Sequence, residues 1–319
     1  MKISKEYVIL AVIIILLAGY LVFKKGNGTH YRLPDLPELP VSDVTELTVK
    51  KGDVTVDLKK KDNRWVIMPQ MYPADKNKVS DMLNAAGSLS LTALVSDRGD
   101  DPVFSLDPDN RIHVTVLKNG KVIRSFYIGG VAPSYHHTFV RLNNSKYVYH
   151  AKGNLKSVFD TTVDDLRDKT VFAFNMSNIK EIKIAKGKDV TTLHLSRQKT
   201  NSKEHENHKK KDIQAVKTGR SVYVWKDDSN GKTVDRKKVK RLLMQLSDLK
   251  CRSYIQGKDK KDYLHPICTI TLKGDKEYTL SIFGPTDKKA FFYPAVSSEN
   301  QYPFVLSKYT AEEIIKGLD

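Results

Sequence analysis

The chain has 319 residues, of which 40% are hydrophobic and 29% charged, a composition typical of a folded protein rather than a disordered one. Its 54 lysines and arginines outnumber 37 aspartates and glutamates, which gives a formal net charge of +17 at pH 7. Such a charge attracts lipid headgroups, cell-wall polymers or nucleic acid, although a solvated lysine-rich surface explains it equally well. Nucleic acid is disfavoured, because the lysines rarely alternate with aromatic residues.

Residues 1–25 are predicted to be a transmembrane anchor. Residues 7–23 form an uncharged run of 17, which as a helix reaches roughly 26 Å, near the lower limit for crossing a bilayer core. A cleaved signal peptide is the alternative, but the run is long for one and no small-residue cleavage site follows it. The flanking lysines nearly balance, so the orientation rests on the short tail before the run and the large body after it. We expect a single-pass protein with its body outside the cytoplasm.

Residues 26–43 contain three Leu-Pro pairs. Proline fixes its own φ angle and restrains the residue before it, so this stretch predicts an extended, semi-stiff linker. Such a linker would hold the body a short way off the membrane.

Residues 44–175 and 176–319 are predicted to be two copies of one unit. Residues 44–49 (VTELTV) resemble residues 179–184 (IKEIKI) at an offset of 135, while Trp65 and Trp225, the only tryptophans, are 160 apart. Further pairs at this second offset are Asp75 with Asp235, Leu83 with Leu243 and Leu89 with Leu249. Order and spacing are kept over more than 100 residues, which indicates a tandem duplication.

The change of offset predicts an insertion of about 25 residues in the second copy, near 199–220. This stretch is polar and basic, cannot bury enough surface to offset its ordering entropy, and is expected to be a mobile loop. His205 and His208 lie there beside Glu204 and Glu206. A mobile loop offers neither fixed ligands nor the groups that orient them, so no metal site is predicted.

The sequence pattern of each copy predicts an α+β unit, in which an antiparallel sheet carries a helix on one face. Residues 46–50, 54–59 and 64–68 suit strands, and Asp75 suits the N-cap of a helix whose apolar residues recur at helical spacing. Asn119-Gly120 predicts a tight hairpin turn between residues 112–116 and 122–128. Short helices are expected to close the copies, at 155–159 and 311–318. The predicted fold class is therefore a tandem α+β duplication behind an N-terminal transmembrane helix.

A search for catalytic patterns finds no nucleophile elbow, phosphate-binding loop, dinucleotide fingerprint or zinc-protease motif. His136 and His137 are adjacent on a predicted strand, where neighbouring side chains point to opposite faces. Asp164, Asp165 and Asp168 suit a solvated segment, since paired carboxylates need a shared cleft for acid–base work. We therefore predict no enzyme, no cofactor and no catalytic, cofactor-binding or metal-binding residue.

Two features stay open at this point. Cys251 and Cys268 are the only cysteines, and outside the cytoplasm they could form a disulfide, while a free thiol at Cys268 would suit an apolar strand. Trp65 and Trp225 are expected to pack between sheet and helix, so that each change to Ala would cost roughly 3–5 kcal/mol. Exposed platforms that stack a sugar or lipid are the alternative for the two tryptophans.

Several short motifs resemble a bacterial family known as domain of unknown function 4340. They are Trp65 with Pro69, Asp75, FSLDP at 104–108, YIGG at 127–130, FVRL at 139–142, YVYH at 147–150 and LRDKTVFAF at 166–174. The resemblance implies a single-pass extracytoplasmic protein, often encoded beside ABC-type transport and gliding-motility-like components, and it supplies no catalytic residues. The charged insertion and the lack of an LRDK-like element after the second copy depart from the pattern.

Two functions are expected from these observations. The first is a non-enzymatic, membrane-anchored accessory or scaffold subunit of an envelope ABC-type transport system, with transporter subunits as partners. The second is a binding module for an anionic envelope polymer or lipid surface, which the net charge favours.

The anchor can be tested by fractionation. Because residues 7–23 carry no charge, we expect the full-length chain to sediment with membranes and to resist carbonate extraction, whereas a chain that begins at residue 26 stays soluble and folded. Membrane association of the shorter chain in high salt would contradict a sole anchor at residues 7–23.

Overall fold

The computed structural model describes residues 5–23, 31–99, 101–199, 221–285 and 291–318. By its internal contacts the chain divides into two compact units, Met1–Arg167 and Asp168–Asp319. The division therefore falls ahead of the boundary after residue 175 that the sequence suggests. Apart from residue 199, the predicted insertion at 199–220 lies outside the described residues.

The N-terminal apolar run is helical, as helix α1, Lys5–Phe23. Among the described residues, no helix has the length and apolar character needed to span a membrane. The transmembrane anchor therefore stays a prediction from the sequence.

The first unit contains a nine-stranded antiparallel sheet with short helices. Its strands are β1 Glu46–Lys51, β2 Val54–Lys61, β3 Arg64–Met68, β4 Tyr72–Pro73, β5 Leu91–Ser96, β6 Ile112–Lys118, β7 Lys121–Val131, β8 His137–Leu142 and β9 Val148–Lys152. Its helices after α1 are α2 Lys76–Gly87, α3 Leu155–Phe159 and α4 Val163–Leu166, with 3₁₀ turns at Val41–Asp43 and Asp101–Phe104.

The second unit contains another nine-stranded sheet and a separate two-stranded one. Its strands are β10 Thr170–Ala173, β11 Glu181–Lys186, β12 Asp189–Lys199, β13 Ser221–Asp227, β14 Thr233–Val234, β15 Asp248–Lys250, β16 Ser253–Tyr254, β17 Cys268–Lys273, β18 Glu277–Ile282, β19 Phe292–Ser297 and β20 Phe304–Ser307. Its helices are α5 Arg236–Leu246 and α6 Lys308–Lys316, with 3₁₀ turns at Met176–Asn178 and Lys260–Asp262.

The two large sheets have the same topology. Their strand orders are β4-β3-β2-β1-β6-β7-β8-β9-β5 and β14-β13-β12-β11-β17-β18-β19-β20-β16, and every pairing in both is antiparallel. In each large sheet the first strand in chain order, β1 or β11, pairs with the strand after it and with a strand that lies beyond the long helix in sequence, β6 or β17. The predicted α+β architecture of two antiparallel sheets with helices is thus confirmed.

Local sequence accounts for the helices. The Asp75 carboxylate accepts hydrogen bonds from the backbone N–H groups of Asn77 and Lys78, and Asp235 caps α5 in the same way through Lys237. The predicted apolar stripes are buried, as Val79, Met82, Leu83 and Ala86 on α2 and as Val239, Leu242, Leu243 and Leu246 on α5. Leu89 and Leu249 are also buried, but they lie beyond the ends of the two helices, and Leu249 belongs to β15. Helix α6 begins at Lys308, ahead of the predicted residue 311, because Ser307 caps it.

The predicted hairpin turns also form. Asn119 and Gly120 both have positive φ angles, 51° and 77°, which suits the tight turn between β6 and β7. In the second unit, a Cβ on Gly274 would lie 2.6 Å from the carbonyl oxygen of Asn178, so this turn requires glycine.

The segment ahead of each sheet is docked onto the end of the long helix. We call residues 33–43 the first strap and residues 169–174 the second strap. The N–H of Leu39 donates to the carbonyl of Gly87 at 3.1 Å, and the N–H of Phe174 donates to that of Ser247 at 3.3 Å. These carbonyls end α2 and α5, where a helix has no internal partner for them. Since Leu33, Leu36 and Val41 pack on the first core, much of the predicted linker belongs to the first unit.

Arg124 holds the first strap in place. Its side chain is 8% exposed, and its Nη1 donates to the carbonyls of Ala86 and Gly87 at 2.7 and 2.8 Å, while Nη2 donates to the carbonyl of Pro37. A single guanidinium thus joins the end of α2 to the strap. Such charge-assisted bonds are among the stronger ones in proteins.

Tyr278 occupies the matching position in the second sheet. Arg124 pairs across the strands with Val116 on β6, and Tyr278 pairs with Leu272 on β17. These two strands lie beside β1 and β11, the first strands of the two large sheets. The Tyr278 ring meets the second strap through Phe174, at 5.5 Å between ring centroids, and through Phe172 at 6.3 Å. The two units therefore fix their straps from the same position with different chemistry.

The tryptophans and cysteines are placed differently from one another. Trp225 is 7% exposed and belongs to the second core, which confirms the core prediction for that residue, whereas Trp65 is only partly buried against the first core. Both cysteines are buried, and no disulfide joins Cys251 to Cys268. Burial raises the pKa of the Cys268 thiol.

Removing the Arg124 guanidinium should weaken the first unit. In Arg124→Leu the carbonyls of Ala86, Gly87 and Pro37 each lose a hydrogen bond from the guanidinium, and we expect the free energy of unfolding to fall by roughly 1–3 kcal/mol. Urea unfolding of the full chain in a neutral detergent would measure this, with Lys121→Leu at the exposed start of β7 as the control. Equal effects of the two changes would show that the strap contact contributes nothing specific.

Candidate functional site

Of the polar residues singled out in the sequence, those within the described ranges take part in local contacts, and His205 and His208 lie outside those ranges. His137 stacks on His150 with ring centroids 5.5 Å apart, and Asp165 completes a capping box with Thr162 at the start of α4. Over the ranges that the structure describes, no group of three or more His, Cys, Asp or Glu side chains could hold a metal ion.

The second unit instead contains an open pocket of about 480 Å³, between the β12–β13 hairpin, α5 and the 3₁₀ turn that precedes β11. We call it the basic aromatic pocket. Its lining consists of three cationic, two aromatic, four apolar and one hydroxyl side chain: Lys180, Arg236, Lys240, Tyr223, Trp225, Met176, Ile179, Leu195, Leu243 and Ser177.

Strand and helix periodicity bring these side chains together. Tyr223 and Trp225 are two residues apart on β13 and so point to the same face of the sheet. Arg236 and Lys240 are one turn apart on α5 and so lie on the same side of the helix. Leu195 pairs directly with Trp225 across the hairpin and forms part of the wall beneath the rings.

Burial separates the pocket into a fixed base and an exposed rim. Trp225 is 7% exposed and anchored in the core, whereas Tyr223 is 57% exposed and presents much of its ring to solvent. Lys180, Arg236 and Lys240 are all exposed. An anionic group at the rim would meet the cations, while an apolar or ring-shaped part of the same ligand would meet the aromatic side chains.

The matching positions of the first unit keep only part of this arrangement, with Lys76 at the position of Arg236. The pair Leu195 and Trp225 corresponds to Lys60 and Trp65, which also face each other across a hairpin. Position 240 corresponds to Ser80, at the offset that also relates the two tryptophans. The fold therefore does not require a cation at position 240. Residues that the two copies share do not reveal the pocket, because its lining differs between them.

A second polar cluster lies on the open face of the second sheet. Nδ1 of His194 is 2.7 Å from the Asp228 carboxylate, its Nε2 is 3.1 Å from Glu181 Oε2, and Lys273 Nζ is 2.9 Å from Glu181 Oε1. The hydrogen bond to Asp228, reinforced by Glu181, raises the pKa of His194. The hydrogen bond from Lys273 lowers the pKa of Glu181. The cluster is a surface ion network whose charge depends on the protonation of His194.

Comparison with known proteins identifies the family. The family described as "Domain of unknown function (DUF4340)" matches residues 65–265, more than half of the chain, and the chain belongs to it. Neither a curated protein nor a solved structure matches the chain.

The His194 cluster makes the stability of the second unit depend on pH. Because the pKa of His194 is raised above its ordinary value of 6.5, its charged form stabilises the fold fully below that pH, and the contribution is lost as the pH rises through the folded-state pKa. We expect the gap in urea midpoint between the natural chain and His194→Gln to be largest below about pH 6 and to shrink as the pH rises.

The matched control for this experiment is Lys59→Gln in the first unit. Lys59 pairs with Glu46 at 3.3 Å at the corresponding position, and a lysine keeps its charge over the same pH range. Its gap should therefore stay constant. A His194→Gln gap that does not change with pH would contradict the prediction.

Proposed function

We propose that this DUF4340 protein is a non-enzymatic, membrane-anchored accessory or scaffold subunit of an envelope ABC-type transport system, and that its second unit binds an anionic ligand. The basic aromatic pocket carries the binding part of the proposal. The transport association is drawn from the family resemblance, and the anchor is drawn from the uncharged run at 7–23. The body would then lie on the periplasmic side of the cytoplasmic membrane.

The composition of the pocket favours binding over catalysis. Its ten lining residues include three cations and no carboxylate, histidine or cysteine, so the lining holds no pair of groups suited to acid–base or nucleophilic work. Lysine and arginine donate strong hydrogen bonds to phosphate and carboxylate oxygens. With Tyr223 and Trp225 beside them, we infer a ligand that joins an anionic group to a ring, as in a sugar phosphate.

Shared topology supports a common origin of the two units. We infer a tandem duplication, because both sheets have the same strand order and both straps dock at the end of the long helix. After such a duplication one copy is free to acquire a binding site while the other keeps the architecture. The pocket in the second unit would be such an acquisition.

A binding module for an anionic polymer or lipid surface is the second candidate, and helix α5 favours it. Five exposed basic side chains lie on this helix, which has no acidic residue: Arg236, Lys237, Lys238, Lys240 and Arg241. Together with the net charge of +17, such a helix attracts polyanions and anionic headgroups. Two of the five line the pocket and the others face solvent outside it.

Charge reversal inside and outside the pocket separates the two candidates. We expect the full-length chain in neutral detergent to bind glucose 6-phosphate, and Lys240→Glu to weaken this at least about tenfold, because a charge-assisted hydrogen bond contributes roughly 1.5–3 kcal/mol. Isothermal titration calorimetry at fixed ionic strength would give both dissociation constants.

Lys237→Glu is the matched control, since it makes the same charge change on the same helix outside the pocket. If both variants lose binding equally, the helix acts through its overall charge, and loss of sedimentation with phosphatidylglycerol vesicles in high salt would then assign the surface-binding function. A loss confined to Lys240→Glu supports the pocket. Unchanged binding in Lys240→Glu would overturn it.

A further inference from the structure

A row of charged and aromatic side chains crosses the first sheet on the face opposite its core. Lys50 on β1 pairs with His113 on β6, His113 pairs with Tyr127 on β7, and Tyr127 pairs with Arg141 on β8. The residues next to them on β6, Ile112 and Val114, are fully buried on the other face. We call Lys50, His113, Tyr127 and Arg141 the cross-strand row.

Tyr127 forms the centre of the row. The His113 ring stacks on it with centroids 4.4 Å apart and an angle of 19° between the planes. The guanidinium carbons of Arg111 and Arg141 lie 4.5 and 5.0 Å from its ring centroid. Cations at these distances are attracted by the ring, which holds both guanidinium groups beside Tyr127.

The charges of the row are only partly compensated. Arg141 forms an ion pair with Asp101, which neutralises it and fixes its position. Lys50 and Arg111 form no ion pair with any carboxylate in the part of the chain that the structure describes. Burial, followed by the charges of Arg111 and Lys50, lowers the pKa of His113. Two uncompensated cations therefore face one imidazole.

The imidazole has a nitrogen available for a ligand. Its Nε2 lies 2.8 Å from Ser125 Oγ and 3.4 Å from Thr115 Oγ1. Its Nδ1 makes no hydrogen bond to any described residue. If Ser125 donates to Nε2, the Nδ1–H of the neutral ring is a donor beside the two cations.

The second unit shows that the fold does not require this row. The matching positions across β11, β17, β18 and β19 are Ala185, Thr269, Ser281 and Val296, all uncharged. The same sheet topology therefore forms without cations or aromatic rings at these positions. The row is a feature of the first unit alone, at equivalent positions of two sheets with one strand order.

We propose that Lys50, Arg111 and His113 form a binding site for the phosphate group of a small soluble ligand, with Tyr127 as its floor. A phosphate monoester carries up to two negative charges and three terminal oxygens, which matches two uncompensated cations and an imidazole donor. A carboxylate has fewer oxygens and would leave part of this positive charge unpaired. The site is separate from the basic aromatic pocket and does not depend on the function proposed for it.

The titration of His113 tests the site directly. The full-length chain, labelled with [¹³C]histidine in neutral detergent, would be titrated by NMR in inorganic phosphate and in chloride at the same ionic strength, with His113→Gln to assign the signal. Phosphate should raise the pKa of His113 above its value in chloride by about one unit or more, because the bound anion favours the charged ring. The chloride arm removes the effect of screening alone.

Two substitutions locate the phosphate. Lys50→Gln and Arg111→Gln should each raise the phosphate concentration at the midpoint of the shift at least tenfold, while Lys121→Gln, at the far end of the β6–β7 hairpin, should leave it unchanged. Equal pKa values in phosphate and chloride would overturn the proposal, as would a shift that survives both substitutions. A shift with phosphatidylglycerol vesicles and none with phosphate would overturn the soluble ligand and assign a membrane surface.

Discussion

The docking of each strap on the end of the long helix is the contact on which the layout of both units depends. A helix leaves its last carbonyls without internal partners, and burying them unpaired is costly. In the first unit Leu39 and Arg124 satisfy carbonyls at the end of α2, and in the second unit Phe174 does so at the end of α5. Each unit therefore includes the chain segment that leads into it. This explains why the division between the units falls after Arg167, ahead of the second strap.

The two straps also show how one architecture tolerates different chemistry. Arg124 binds carbonyl oxygens, whereas Tyr278 at the matching position packs its ring on Phe172 and Phe174. A buried guanidinium needs hydrogen-bond acceptors for its N–H groups, and the clustered carbonyls at the helix end provide them. An aromatic contact needs only surface area and a suitable angle. The position is thus constrained to hold the strap, and the side chain that does so is free to differ.

Much of the fold could be predicted because its signals are local. Asp75 and Asp235 predict the starts of α2 and α5, and the turn residues Asn119 and Gly120 predict a hairpin. The sequence does not predict strands β5 and β16, since their pairing partners β9 and β20 are distant in sequence. The linker was interpreted as a spacer from its prolines, because nothing in residues 33–41 reveals that Arg124 binds there.

Neither candidate site could be predicted, and the reason is the same for both. The repeat was recognised from residues that the copies share, such as Trp65 and Trp225, and shared residues define the architecture. The pocket depends on residues that differ between the copies, with Lys240 where the first unit has Ser80. The composition shows the excess of positive charge, but it does not show where on the fold the charged residues lie.

The cross-strand row also differs between the copies, but here the first unit has the charged residues and the second unit lacks them. His113 lies where the second unit has Thr269. The predicted hairpin brings His113 to Tyr127, but Lys50 is far from both in sequence and meets His113 only through the pairing of β1 with β6. Each unit therefore acts as an internal reference for the other. Where equivalent positions of the two sheets carry different charges, the fold itself does not require the charge, because it forms without that charge in the other unit. The charge then needs another explanation. Anion binding, which we propose for both cationic sites, would supply that explanation.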